Sequence, residues 1–102
     1  MKPRKALNDI FKEILGNDHV YFQPPESIKL KYDCIVYNLD SADIQFGDNK
    51  SYRYLRRYDV TYITKDPDSS VIDLIPQHFQ MIRFNRWYAT DGLNHYSYTL
   101  YF

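Results

Sequence analysis

The sequence predicts an α+β fold in a single domain spanning residues 1–102. An antiparallel or mixed sheet of about four to five strands carries two helices on one face. Three observations lead there. Alternating runs of strand period occur at 51–64, 81–90 and 94–102. Asp91-Gly92 separates the last two, and Asp-Gly between alternating runs is a strong type I′ hairpin signal. Two other segments have helical spacing instead.

The first helix is expected over 3–15. Ala6, Leu7, Ile10, Phe11, Ile14 and Leu15 make one apolar stripe, and Asn8, Asp9, Lys12 and Glu13 fall on the other side. Pro3 suits the start, and Gly16-Asn17 the end. Residues 20–23 are a short strand candidate, stopped by Pro24-Pro25. The next strand lies within 28–39. In its best part, 34–39, both faces are partly apolar, as in an inner strand. Residues 40–50 are polar and read as a loop of about ten residues. The long run 51–64 follows, with a bulge or an exposed end expected in its first half, where neither face is cleanly apolar.

Residues 66–70 (Asp-Pro-Asp-Ser-Ser) start a turn and supply side chains suited to capping. Val71, Ile72, Leu74 and Ile75 then form a second helical stripe of two or three turns, kinked or restarted near Pro76. Strict alternation in the hairpin puts Ile82, Phe84, Arg86 and Tyr88 on one face and Arg83, Asn85, Trp87 and Ala89 on the other. In its second strand Tyr96, Tyr98, Leu100 and Phe102 share a face. Trp87, Tyr96, Tyr98 and Leu100 are expected in the core or in subunit packing.

Composition bounds function. Thirteen basic and thirteen acidic residues cancel, so no global charge draws the chain to nucleic acid or an acidic membrane. Eleven tyrosines suit half-buried strands and protein interfaces alike. One cysteine excludes an internal disulfide; Cys34 lies in an apolar run and reads as a small buried hydrophobe. Neither a secretory leader nor a membrane span is expected, which suggests a soluble protein made in the cytoplasm.

No catalytic constellation stands out, so the chain is not expected to be an enzyme, and neither a cofactor nor a metal is expected. His19, His78 and His95 lie in separate elements without metal-site spacing. Asp66, Asp68 and Asp73 lack the glycine and terminal glutamate of a calcium loop. Asp91 is better explained by its turn than as the acid of a pair with His95. Three glycines form no phosphate-binding loop. The segment 52–58, Tyr-Arg-Tyr-Leu-Arg-Arg-Tyr, interleaves aromatics with arginines. Such a strand can serve as a protein interface, a plain strand surface or a nucleic-acid platform, in that order of preference here. The candidate interface residues are Asp43, Gln45, Phe46, Asp48, Tyr52, Tyr54, Arg56 and Arg57.

Taken in succession, several short stretches carry a resemblance. These are Tyr58-Asp59-Val60-Thr61-Tyr62-Ile63, Lys65-Asp66-Pro67-Asp68-Ser69, a short helix, Trp87-Tyr88-Ala89-Thr90-Asp91 and the closing run from Gly92 to Phe102. With the N-terminal helix and Val20-Tyr21-Phe22-Gln23-Pro24-Pro25, this order resembles the small neck and tail-completion proteins of long-tailed phages and prophages, tail terminators above all. Tyr32-Asp33 stands where that family usually has tyrosine-proline. The resemblance implies a virion protein forming a homo-oligomeric ring, expected as a hexamer. Such a ring caps the tail tube, halts its polymerisation and joins the tail to the head connector. It implies the tail tube protein and connector proteins as partners, no membrane, and DNA at most passing through the lumen. Another head–tail joining or head-completion protein, or a nucleic-acid-binding module, is the alternative. On this reading segments 40–50 and 52–58 reach a neighbour or the tube, and reversing the charges of Arg56 and Arg57 disrupts assembly.

Overall fold

The computed structural model describes residues 3–46 and 52–102, with side chains described for 3–40 and 55–102. Its elements run α1 (Arg4–Leu15), β1 (Val20–Phe22), β2 (Cys34–Phe46), β3 (Tyr52–Thr64), α2 (Val71–Gln77), β4 (Ile82–Thr90) and β5 (Leu93–Tyr101). The five strands form one sheet in the order β1-β2-β3-β5-β4. β1 runs parallel to β2, and the other pairings are antiparallel, so the sheet is mixed.

Periodicity explains where the core lies. Leu7, Phe11 and Ile14 recur at the spacing of one helical face and are buried. They meet alternate residues of three central strands: Ile35 and Tyr37 of β2, Tyr58, Val60 and Tyr62 of β3, and Tyr96, Tyr98 and Leu100 of β5, with Phe102 just beyond. Ile75 brings α2 onto the same cluster, so both helices cover one face of the sheet. Gly16 ends α1 at φ 75°, a left-handed conformation that glycine adopts without strain, and its N–H bonds the Lys12 carbonyl. Between β4 and β5, Asp91 and Gly92 both have positive φ, as a type I′ turn requires.

Several expectations are corrected. Residues 40–46 are not loop: they continue β2, paired with β3 as far as Phe46 opposite Tyr52. The remainder of that expected loop, 47–50, lies outside the described residues. Of the two alternatives expected in the first half of β3, a bulge or an exposed end, the bulge sits in its partner instead, where Leu39 faces Tyr58 and Ser41 faces Arg57, leaving Asp40 as the extra residue. The strand expected within 28–39 does begin at Cys34, the start of its best part. α2 is a single two-turn helix that ends one residue after Pro76; it is not restarted there. Ser69, not Asp66 or Asp68, accepts the Val71 N–H at its start, while Asp66 accepts that of Asp68.

A second bulge changes the faces of β4. Phe84 pairs with Tyr98 and Arg86 with Ser97, so Asn85 is the extra residue. Everything after it shifts by one. Trp87 pairs with Tyr96 and joins Phe84 on the helix-covered side, whereas Arg86 and Tyr88 take the opposite face. Trp87 is therefore exposed on the edge strand, which excludes the core from the two places expected for it, core or subunit packing.

Candidate assembly surfaces

β2 and β3 are each 13 residues long, but their neighbours are shorter. β1 accompanies β2 only along Ile35 to Tyr37, and β5 accompanies β3 only from Arg57 onward. Phe102 adds one more backbone bond, to the Arg56 carbonyl. Residues 41–46 and 52–55 thus leave the sheet as a two-stranded ribbon, with no third strand beside it among the described residues. The molecule is correspondingly long, 49 × 28 × 22 Å. A strand edge without a partner presents rows of unpaired N–H and C=O groups, which other chains can pair with.

The ribbon has a defined root. Arg57 Nε donates to Asp40 Oδ2 at 2.7 Å, so the bulged residue is tied across to β3. A hydrogen bond with Tyr101, and that ion pair, push the guanidinium's pKa further above its already high value. Nearby Asp59 has its carboxyl pKa raised by partial burial and by the Asp40 charge, with Arg57 acting the other way.

Seven of the eight expected interface residues are brought to this ribbon and its root. In register, Asp43 faces Leu55, Tyr54 faces Ile44, Gln45 faces Arg53, and Phe46 faces Tyr52. Arg56 and Arg57 lie at the root, half-buried, opposite Ala42 and Ser41. Asp48 lies outside the described residues.

A second surface escaped the sequence reading. Phe84 and Trp87 are 51% and 55% exposed on the outer strand β4, on the side of the sheet that the helices cover. Phe84 packs edge-on against Tyr98 with ring centroids 5.6 Å apart, and Trp87 Nε1 donates to Asn94 Oδ1 at 3.2 Å. These contacts hold the two rings as a ledge beyond α2. Strict alternation hid it, because two residues three apart belong to opposite faces unless a bulge intervenes. The usable signal was the bulge itself: apolar residues at Ile82 and Phe84, then a three-residue step to Trp87.

The titratable residues are dispersed. His19 Nδ1 is 3.1 Å from the Asp33 carbonyl oxygen and His78 Nδ1 is 2.8 Å from that of Leu74. His95 stacks on Tyr88 at 4.6 Å, with Arg86 over the other ring at 4.9 Å. Among the described residues, no group of three or more His, Cys, Asp or Glu is placed to hold a metal ion. Cys34 is fully buried, and burial, with Asp33 adding to it, pushes its thiol up to about 12. No helix among the described residues is long and apolar enough to cross a membrane. In comparison with known proteins, no family model matches this chain, and no curated protein matches it either.

Proposed function

We propose that this chain is a structural, non-enzymatic subunit that assembles into a ring, and that the ring is a tail terminator of a phage neck. In that role it caps the tail tube, stops its polymerisation and joins the tail to the head connector, with the tube protein, the connector and further copies of itself as partners. The observation that carries the assembly part is the projecting ribbon, whose strand edges lack partners at one end of an open sheet. A subunit with an arm at one place and an exposed aromatic edge at another makes contacts between unlike surfaces, and such contacts close into rings when the rotation permits. The order of elements supplies the neck part.

Light scattering and negative-stain imaging of the purified protein, alone and mixed with tail-tube protein, test both. Rings, or short capped tubes, are expected. A monomer that ignores the tube protein overturns the proposal. Arg57 is committed to Asp40 within the chain, so the sharper variant is Arg56→Glu alone: ring formation should fall with far-UV circular dichroism unchanged. Rings as abundant as in the parent would remove the ribbon root from the interface.

The arginines at 53 and 56, set among tyrosines, favour one second reading, single-stranded nucleic-acid binding by the ribbon. A mobility shift that weakens steeply with added salt would favour it over assembly.

A further inference from the structure

The ledge on β4 differs in character from the rest of the exposed surface. Two rows of side chains lead outward from α2 to the edge. In the first, the Tyr98 hydroxyl donates at 2.9 Å to the carbonyl of Ile72, the residue next to Asp73, and Tyr98 packs against Phe84. In the second, the Tyr96 hydroxyl donates at 3.5 Å to the carbonyl of Pro67, the residue next to Asp68, and Tyr96 pairs in register with Trp87. Each row therefore runs from an exposed carboxylate, over a buried tyrosine, to an exposed ring. Neither Asp68 nor Asp73 is ion-paired among the described residues. Lys65 is the one basic residue between 65 and 73, against three aspartates.

A surface of this kind selects its partner by charge. A second ledge would set aspartate against aspartate, and nucleic acid would set phosphate against aspartate, so both are opposed. A strand that carries tyrosines and arginines and no acidic residue is complementary. One stretch of this chain has that pattern: Tyr52-Arg53-Tyr54-Leu55-Arg56 of the ribbon, where β3 has left the sheet. The molecule's own ribbon cannot serve. Trp87 lies in the row of Tyr96 and Tyr62, about eight residues, or ~26 Å of strand, from Tyr54. That stretch of strand is paired with β2 along its length.

We propose that the ledge formed by Phe84 and Trp87, with Asp68 and Asp73 beside it, is the docking site for the arginine- and tyrosine-bearing ribbon of a second copy of this chain. The contact rests on the ring-forming reading above and specifies which two surfaces meet. It joins unlike patches, so each copy keeps one ribbon and one ledge free until the ring closes.

Charge exchange tests it. Asp68→Lys with Asp73→Lys, and separately Arg53→Glu with Arg56→Glu, should each weaken self-association at least about tenfold. Trp87→Ala should do the same, since truncating an interface aromatic commonly costs that much. All four charge changes in one chain should recover most of the loss. As a measurement that does not depend on these variants, Trp87→Cys and Arg53→Cys, each in a Cys34→Ser background, should form a mixed disulfide in preference to either homodimer. Rings in every variant, with no mixed disulfide, overturn the ledge contact and leave the ring reading standing. A parent protein that stays monomeric at all concentrations overturns both. Loss of association in the single sets without recovery in the combined one also overturns the ledge contact.

Discussion

Tyr98 combines two roles in one side chain. Its ring fills the core, while its hydroxyl donates to the Ile72 carbonyl of α2 at 2.9 Å. Tyr37 does likewise towards Asn8 of α1, and the Tyr62 hydroxyl pairs with Ser69 Oγ at 2.8 Å. A tyrosine-rich composition suits half-buried strands, and this is its physical basis: the polar tips reach past the apolar layer to the helices and the loop before α2. The same arrangement has a pH consequence. Burial is the largest cause raising the phenol pKa of Tyr37, Tyr62, Tyr96 and Tyr98, the last to about 12. In the unfolded chain these groups ionise near the usual phenol value of about 10. The folded state thus holds more protons above that pH, and its stability should fall as pH rises from about 10 through the folded pKa values. Denaturant titrations at stepped alkaline pH should show the midpoint dropping there, and less steeply for Tyr98→Phe. At neutral pH that variant should cost about 1 kcal/mol, the worth of its hydrogen bond. A midpoint flat up to pH 12 would contradict the burial of these hydroxyls.

At the scale of elements, two departures from expectation each lie beside a single extra residue. Between 41 and 46 polar and apolar residues alternate, which is the strand period, but the polar composition of 40–50 masks it. Across Asp40 and across Asn85, the apolar alternation takes one step of three instead of two, from Leu39 to Ala42 and from Phe84 to Trp87. That step is the readable mark of a bulge. The helices, the hairpin turn and the core face of β5 were legible because their periods are unbroken. The parallel pairing of β1 was not, since three residues carry no record of which neighbour they join. One prediction belongs here. Deleting Asn85 should restore regular pairing with Trp87 still on its observed face, so stability should change by no more than about 1 kcal/mol and tryptophan emission should hold. Deleting Thr61 from the central strand β3 should instead reverse every later side chain of that strand and prevent folding. Thermal unfolding of the two deletions separates these outcomes.

Considered whole, the molecule divides its labour. The buried residues of the core cluster all lie in α1, α2, the body of the sheet and Phe102. The fold class was legible for that reason: the core-forming segments have clean periods, while the ribbon left only a weak signature. Replacing residues 41–55 with a short glycine-containing turn should therefore leave a folded protein with a melting temperature within about 5 °C of the parent. Rings should be absent. Scanning calorimetry and light scattering on the same sample check the two halves of that statement. Unfolding of the shortened chain would show that the ribbon supports the body as well as extending it.

The register at the far end of the ribbon has a practical corollary. Phe46 and Tyr52 stand directly opposite one another, so the strands are already aligned there by their own pairing. Any connecting segment able to bridge one interstrand spacing can join them, whatever its length or composition. A peptide epitope, a fluorophore-binding tag or a small folded module grafted between residues 46 and 52 would be tolerated by the body of the domain. In an assembled ring it would be displayed once per subunit at a common radius, so the valency of the display would count the copies.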